Sequence, residues 1–139
     1  MKEETIDKNK RHFVVDAVIK KENKYFMIDR QDFPFGWACV SGHIEKNETP
    51  EEALKREIKE EVNLDVTSAK LISEEFLPEE TCHYGITGHV HFTFEVKVTG
   101  KEMDNKNEVK FHGWFDKEEL KTLDLQPEWD FLLRKLNIL

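Results

Sequence analysis

Residues 42–64 read GHIEKNETPEEALKREIKEEVNL, and the way this stretch folds decides the architecture around it. Thr49-Pro50-Glu51-Glu52 is a helix start: Thr49 can cap, Pro50 suits the first helical position, and Glu52 completes a capping box. The helix is expected to run to about Val62. At about 100° per residue, Glu57, Glu60 and Glu61 share a narrow stripe beside an apolar one of Leu54, Ile58 and Val62. Glu51 and Glu52 precede Lys55 and Arg56 by four residues, which is ordinary surface pairing. Glu57 differs, because Ala53 and Glu61 occupy that spacing and neither is basic. Like charges so placed repel by a few tenths of a kcal/mol in water, and by more when partly buried. A hard divalent cation relieves the repulsion, and Mg²⁺ favours such oxygen ligands. The competing reading is a solvated, glutamate-rich helix, the usual fate of a charge run.

The spacing of the whole stretch weighs against that solvated helix. It resembles the Nudix box of the Nudix hydrolases (the MutT-related family), G-x5-E-x7-R-E-U-x-E-E-x-G-U, with U a bulky aliphatic. Gly42, Glu48, Arg56, Glu57, Ile58, Glu60, Glu61 and Leu64 stand at its required positions. Asn63 departs, standing where the family has its last glycine. That position ends the helix in a left-handed conformation, which asparagine tolerates next best after glycine. Ser41 departs too, replacing the first of the usual paired glycines. The family uses that residue's carbonyl as a metal ligand, and serine still supplies one.

The resemblance implies an α/β fold, an α/β/α sandwich around a mixed β-sheet. It also implies hydrolysis of the pyrophosphate linkage in a nucleoside diphosphate-linked compound, with a nucleoside triphosphate favoured by analogy. The implied metal is Mg²⁺, with Mn²⁺ as the alternative, on Glu57, Glu60, Glu61 and the Ser41 carbonyl. The implied catalytic set is Glu57, Glu61 and Arg56, the arginine chiefly orienting its glutamate neighbours Glu52 and Glu60. Glu48 takes a supporting duty at the helix entrance. Many relatives place a further carboxylate in a loop comparable to that of Glu108, as metal ligand or general base; its alternative is a solvated loop glutamate.

Composition is consistent with this. A length of 139 residues suits one domain spanning residues 1–139, with the polar residues 1–11 as a lead-in. Aromatics at 11% are too many for a disordered chain. A net charge of -8 argues against nucleic acid as a partner, and a bridging cation would reconcile it with an anionic substrate. Cys39 and Cys82 form no CxxC pair. With no signal peptide and no apolar run long enough for a membrane span, a reduced, cytoplasmic location is expected. Oligomeric state is open, a homodimer being compatible.

Along the chain, strands are expected at residues 13–19, 25–28, 37–40, 65–76 (with a bend), 88–98 and 109–115. Loops are expected at 30–36, at 77–87 and, hairpin-like, at 99–107; helices close the chain at 117–123 and 127–136. Phe35, Trp37 and Tyr84, with Phe33, are candidates to stack on a nucleobase, although aromatics more often serve the core. His43 follows the box glycine, within possible reach of a phosphate. His89 and His91 share a strand face, but without a third ligand a polar face or substrate contact is preferred to zinc.

A non-catalytic nucleotide sensor with the same fold is the alternative function. Such modules usually lose box glutamates, and here all are retained. Subfamily marks downstream of the box fit neither Pro78 nor Tyr84, so the sequence leaves the substrate open.

Overall fold

The β-branched run after His12 forms the central strand of a mixed sheet in this computed structural model, which describes residues 12–81 and 87–139. The expected lead-in at 1–11 and Tyr84 lie outside the described residues. The elements in order are β1 (His12–Lys21), β2 (Lys24–Arg30), β3 (Trp37–Ala38), β4 (Val40–His43), α1 (Pro50–Val62), β5 (Asp65–Thr81), β6 (Thr87–Thr99), β7 (Val109–Phe115), α2 (Lys117–Leu120) and α3 (Pro127–Lys135). The main path of the sheet is β3-β2-β1-β6-β5, with β4 joined to β1 and β7 to β2. Among the paired strands of the described residues, β1 and β6 run parallel, from His12 opposite His89 to Ile19 opposite Val96, and the other strand pairs are antiparallel.

Alternation along β1 sends its side chains to two faces. Val15, Ala17 and Ile19 pack with Ala53, Leu54, Ile58 and Val62 of α1. Val18 faces the other way, into a second core with Trp129, Leu132 and Leu133 of α3. Helices thus cover both faces, which is the expected α/β/α layering. No helix among the described residues is long and apolar enough to cross a membrane.

Several boundaries differ from the sequence reading, among them α2, expected over 117–123, which stops at Leu120. Of the loop expected at 77–87, the described residues 77–81 and 87 are strand: β5 continues to Thr81, with Leu77 opposite His89 and Thr81 opposite Thr87. Pro78 and its acidic neighbours read as loop, yet β5 is a sheet edge, where proline is tolerated beside a register shift. The single strand expected at 37–40 is split into β3 and β4, which pair with β2 and β1 respectively. Segment 99–107 does not close a hairpin, because β6 pairs with β1 and β5 whereas β7 pairs with β2. It crosses instead along the end of α1, where the Met103 and Asn105 amides donate to the carbonyls of Val62 and Glu61 (2.9 and 2.8 Å). Those carbonyls have no partner within the helix, so the crossing caps α1 and is held by it.

Candidate active site

Helix α1 begins as its sequence dictates. Thr49 accepts from the Glu52 amide at 3.1 Å, and the Glu52 carboxylate accepts from the Thr49 amide at 3.0 Å. This occupies Glu52, which therefore is not the partner of Arg56 that its four-residue spacing suggested. Arg56 instead forms a fork on Glu48, with Nε to Oε2 at 2.7 Å and Nη2 to Oε1 at 3.0 Å. Its Nη1 reaches Glu57 at 2.6 Å and Glu60 at 3.4 Å, and Nη2 also donates to the His43 carbonyl at 3.0 Å. Glu48 further accepts from the Glu45 amide, closing the loop that leads into the helix. Glu57 thus has a basic neighbour after all, from the adjacent residue rather than from one turn away.

Gly42 explains where the Glu57 carboxylate sits. A Cβ added at Gly42 would fall 2.5 Å from both Glu57 carboxylate oxygens, so only glycine leaves room for them against β4. The requirement is close approach, not a special backbone angle. Ser41 immediately precedes this contact on β4, opposite Asp16 of β1. At the other end of the helix Asn63 adopts φ 64° and ψ 26°, the left-handed ending expected of it.

The three box glutamates do not share one environment. Glu60 is exposed, Glu57 is largely covered, and Glu61 is buried at 2% exposure. The stripe is continuous in angle, but its Glu61 end turns beneath the crossing segment 100–108. Glu108, at the end of that segment, is bound through its amide to the Asn105 carbonyl and through its carbonyl to the Gln31 amide. Glu61 Oε2 and Glu108 Oε2 are buried without a hydrogen-bond partner among the described residues.

Burial pushes the Glu57 carboxyl up to about 7; Arg56 opposes the shift, while the charges of Glu60 and Glu108 add to it. Glu61 is pushed well above the carboxylate range, first by burial and then by Glu57 and Glu108, with Arg30 opposing. Arg30, at the end of β2, is a contributor that nothing in its sequence context signalled; its Nε is itself buried without a partner among the described residues. Buried carboxylates with orphaned oxygens and mutual repulsion form a donor set suited to a hard dication.

The aromatic candidates separate. Phe35 is 67% exposed and Phe33 53%, on the loop between Arg30 and the glycine that accepts its amide bond, Gly36. That loop starts at Gln31, whose amide donates to the Glu108 backbone carbonyl, and it ends at Gly36, against Asp124 and Gln126. Trp37 instead packs into the α3-side core, its ring 5.3 Å from that of Phe115.

The family model of the NUDIX domain matches residues 10–135. The ADP-ribose pyrophosphatase of Methanocaldococcus jannaschii is 34% identical over 117 residues, covering 82% of this chain and 67% of that protein. The nucleoside triphosphatase NudI of Enterobacter sp. (strain 638) is 30% identical over 122 residues, covering 81% and 86%. The dihydroneopterin triphosphate diphosphatase of Haemophilus influenzae is 33% identical over 92 residues, or 66% of this chain but only 57% of that relative's length. Among solved structures, a MutT NUDIX hydrolase from Burkholderia pseudomallei superposes with a TM-score of 0.78 at 20% identity, covering 89% of this chain and 96% of that one. At that identity the likeness concerns the fold.

Proposed function

Because the chain belongs to the Nudix hydrolase family, we propose that it hydrolyses the pyrophosphate linkage of a small nucleotide, a nucleoside triphosphate in the first instance, with Mg²⁺ or Mn²⁺ as cofactor. The observation carrying this reading is the buried Glu61 grouped with the half-buried Glu57 and Glu108, two of whose carboxylate oxygens are orphaned among the described residues, beside an arginine clamp. Glu57, Glu60 and Glu61, with the Ser41 carbonyl, are the residues that would hold the cation. A dication bound there offsets phosphate charge and acidifies the attacking water.

The chain's own residues do the rest. Water attacks a phosphorus of the bridge, the P–O bond to the bridging oxygen breaks, and the proton passes to a glutamate. Glu57, Glu61 and Glu108 are the candidates for that base, each close enough to the others to feel their charge. Arg56 is a positioning residue: pinned by Glu48, it holds the Glu57 carboxylate in the space that Gly42 leaves open. The exposed ring of Phe35 is available to stack on a base, whereas Trp37 is engaged in the core beside α3.

The triphosphate assignment draws on the relatives named above. The nucleoside triphosphatase is the one of the three that this chain spans most fully. Incubating the protein and Mg²⁺ with a panel of nucleoside triphosphates (oxidised bases included), ADP-ribose, dinucleoside polyphosphates and nucleotide sugars tests it directly. Release of a nucleoside monophosphate and pyrophosphate from a triphosphate is expected. Preference for ADP-ribose would move the substrate, and tight binding without turnover across the panel would favour the sensor.

A further inference from the structure

We infer that the chain carries a second metal site, in which His12, His43 and His89 bind a transition-metal dication such as Zn²⁺. The ligand atoms of these three residues all lie within 4.8 Å of one another. Their ring centroids are 4.6 Å (His12–His43), 5.5 Å (His12–His89) and 5.6 Å (His43–His89) apart. The sheet brings them together from remote places in the chain. His12 of β1 stands directly across from His89 of β6, and His43 of β4 pairs with Val14, two residues along β1 from His12. The histidine pair visible in the sequence is not the pair used. His91 is engaged by Asp16 at 2.7 Å, an oxygen that also accepts from Thr93 at 3.0 Å.

This cluster is separate from the carboxylates. Successive residues of a strand face opposite ways, so if Gly42 faces Glu57 on the α1 side, His43 faces the other side of the sheet. The chemistry is separate as well. Imidazole nitrogens suit zinc, cobalt and nickel, whereas the glutamate oxygens suit Mg²⁺. Bonds of about 2.0–2.1 Å in a tetrahedral site put ligand atoms about 3.3 Å apart, a contraction that small imidazole rotations supply. His12 and His89 are 2% and 1% exposed while His43 is half-buried, so an ion enters past His43. Once bound it ties β1, β4 and β6 together at the strand end whose His43 carbonyl receives Arg56.

The test uses the full chain, stripped of metal and then saturated with Mg²⁺ to fill the carboxylates. Titration with Co²⁺ should give the intense visible bands of a tetrahedral ion, saturating at a single cobalt per chain and bleached by Zn²⁺. His43→Gln and His89→Gln should abolish the bands, and Glu61→Gln should keep them. Bands lost in Glu61→Gln but kept in His89→Gln, or weak octahedral bands only, would overturn the site. Should the buried-histidine variants not fold, X-ray absorption on the cobalt-loaded wild type decides. A shell dominated by imidazole nitrogen supports the inference, and an oxygen-only shell refutes it.

Discussion

At Glu61 a single carboxylate meets opposing demands. Its burial and its orphaned oxygen suit a cation, and without a cation they disfavour the charged form. Glu61→Gln should therefore lower turnover by on the order of a hundredfold or more. The same change should raise the melting temperature measured in a chelator near neutral pH, because an amide needs neither a proton taken up on folding nor a buried charge. Near wild-type turnover at saturating Mg²⁺ would remove Glu61 from the site. Gly42 offers a sharper probe, since a methyl there must displace the Glu57 carboxylate. Gly42→Ala should cut kcat at least about tenfold while costing about 1–3 kcal/mol of stability in a urea titration. An unchanged kcat would mean that Glu57 works from another position. The glycine, the three box glutamates and Arg56 were all legible in residues 42–64, because one helix and its entry loop hold them at fixed spacing. The choice of partner for Arg56 was not, because Glu52 is claimed by the cap and Glu48 lies outside the helix.

The elements divide along similar lines. Helix α1 was readable to the residue, since its start and stop are local chemistry. Asn63→Gly should leave activity unchanged and be neutral or stabilising by up to about 1 kcal/mol, because glycine adopts the left-handed ending without a Cβ penalty. A loss larger than that in thermal unfolding would point to a contact of the Asn63 side chain. The crossing segment 100–108 was not readable as such. Its route depends on β7 choosing β2 over β6, a choice made by tertiary packing, and this route brings Glu108 to Glu61. If Glu108 is the base, Glu108→Gln should lower kcat and erase the acidic limb of the pH–rate profile with Mg²⁺ dependence unchanged. If it is a ligand, the Mg²⁺ concentration for half-maximal rate should rise instead. A variant matching wild type on both axes would leave a box glutamate as the base.

For the whole molecule the carboxylates make stability depend on pH. Glu57 sits at about 7 in the folded chain against 4.5 for an ordinary glutamate, and Glu61 is displaced the same way. The folded state thus keeps protons that the unfolded chain releases. Their contribution is fully present below the unfolded value and is lost as pH rises through the folded one. In a chelator the melting temperature should fall between about pH 5 and about pH 8, and Mg²⁺ should raise it far more at the upper end. A melting temperature that climbs over that interval would mean that other groups dominate. The layered architecture was legible from the order of strands and helices and from what the resemblance of residues 42–64 implies; the parallel join of β1 to β6 was not, since nothing local encodes it. That join also has a consequence for synthesis. Asp16 and His91, which meet across it, are 75 residues apart. As the chain leaves the ribosome, β1 emerges early, one face wholly apolar and the other carrying Val14 and Val18 beside His12 and Asp16, and waits for more than 60 further residues before its parallel neighbour arrives. A stall in translation between residues 43 and 87 therefore leaves that strand exposed, and nascent chains halted there should be the aggregation-prone and chaperone-bound ones.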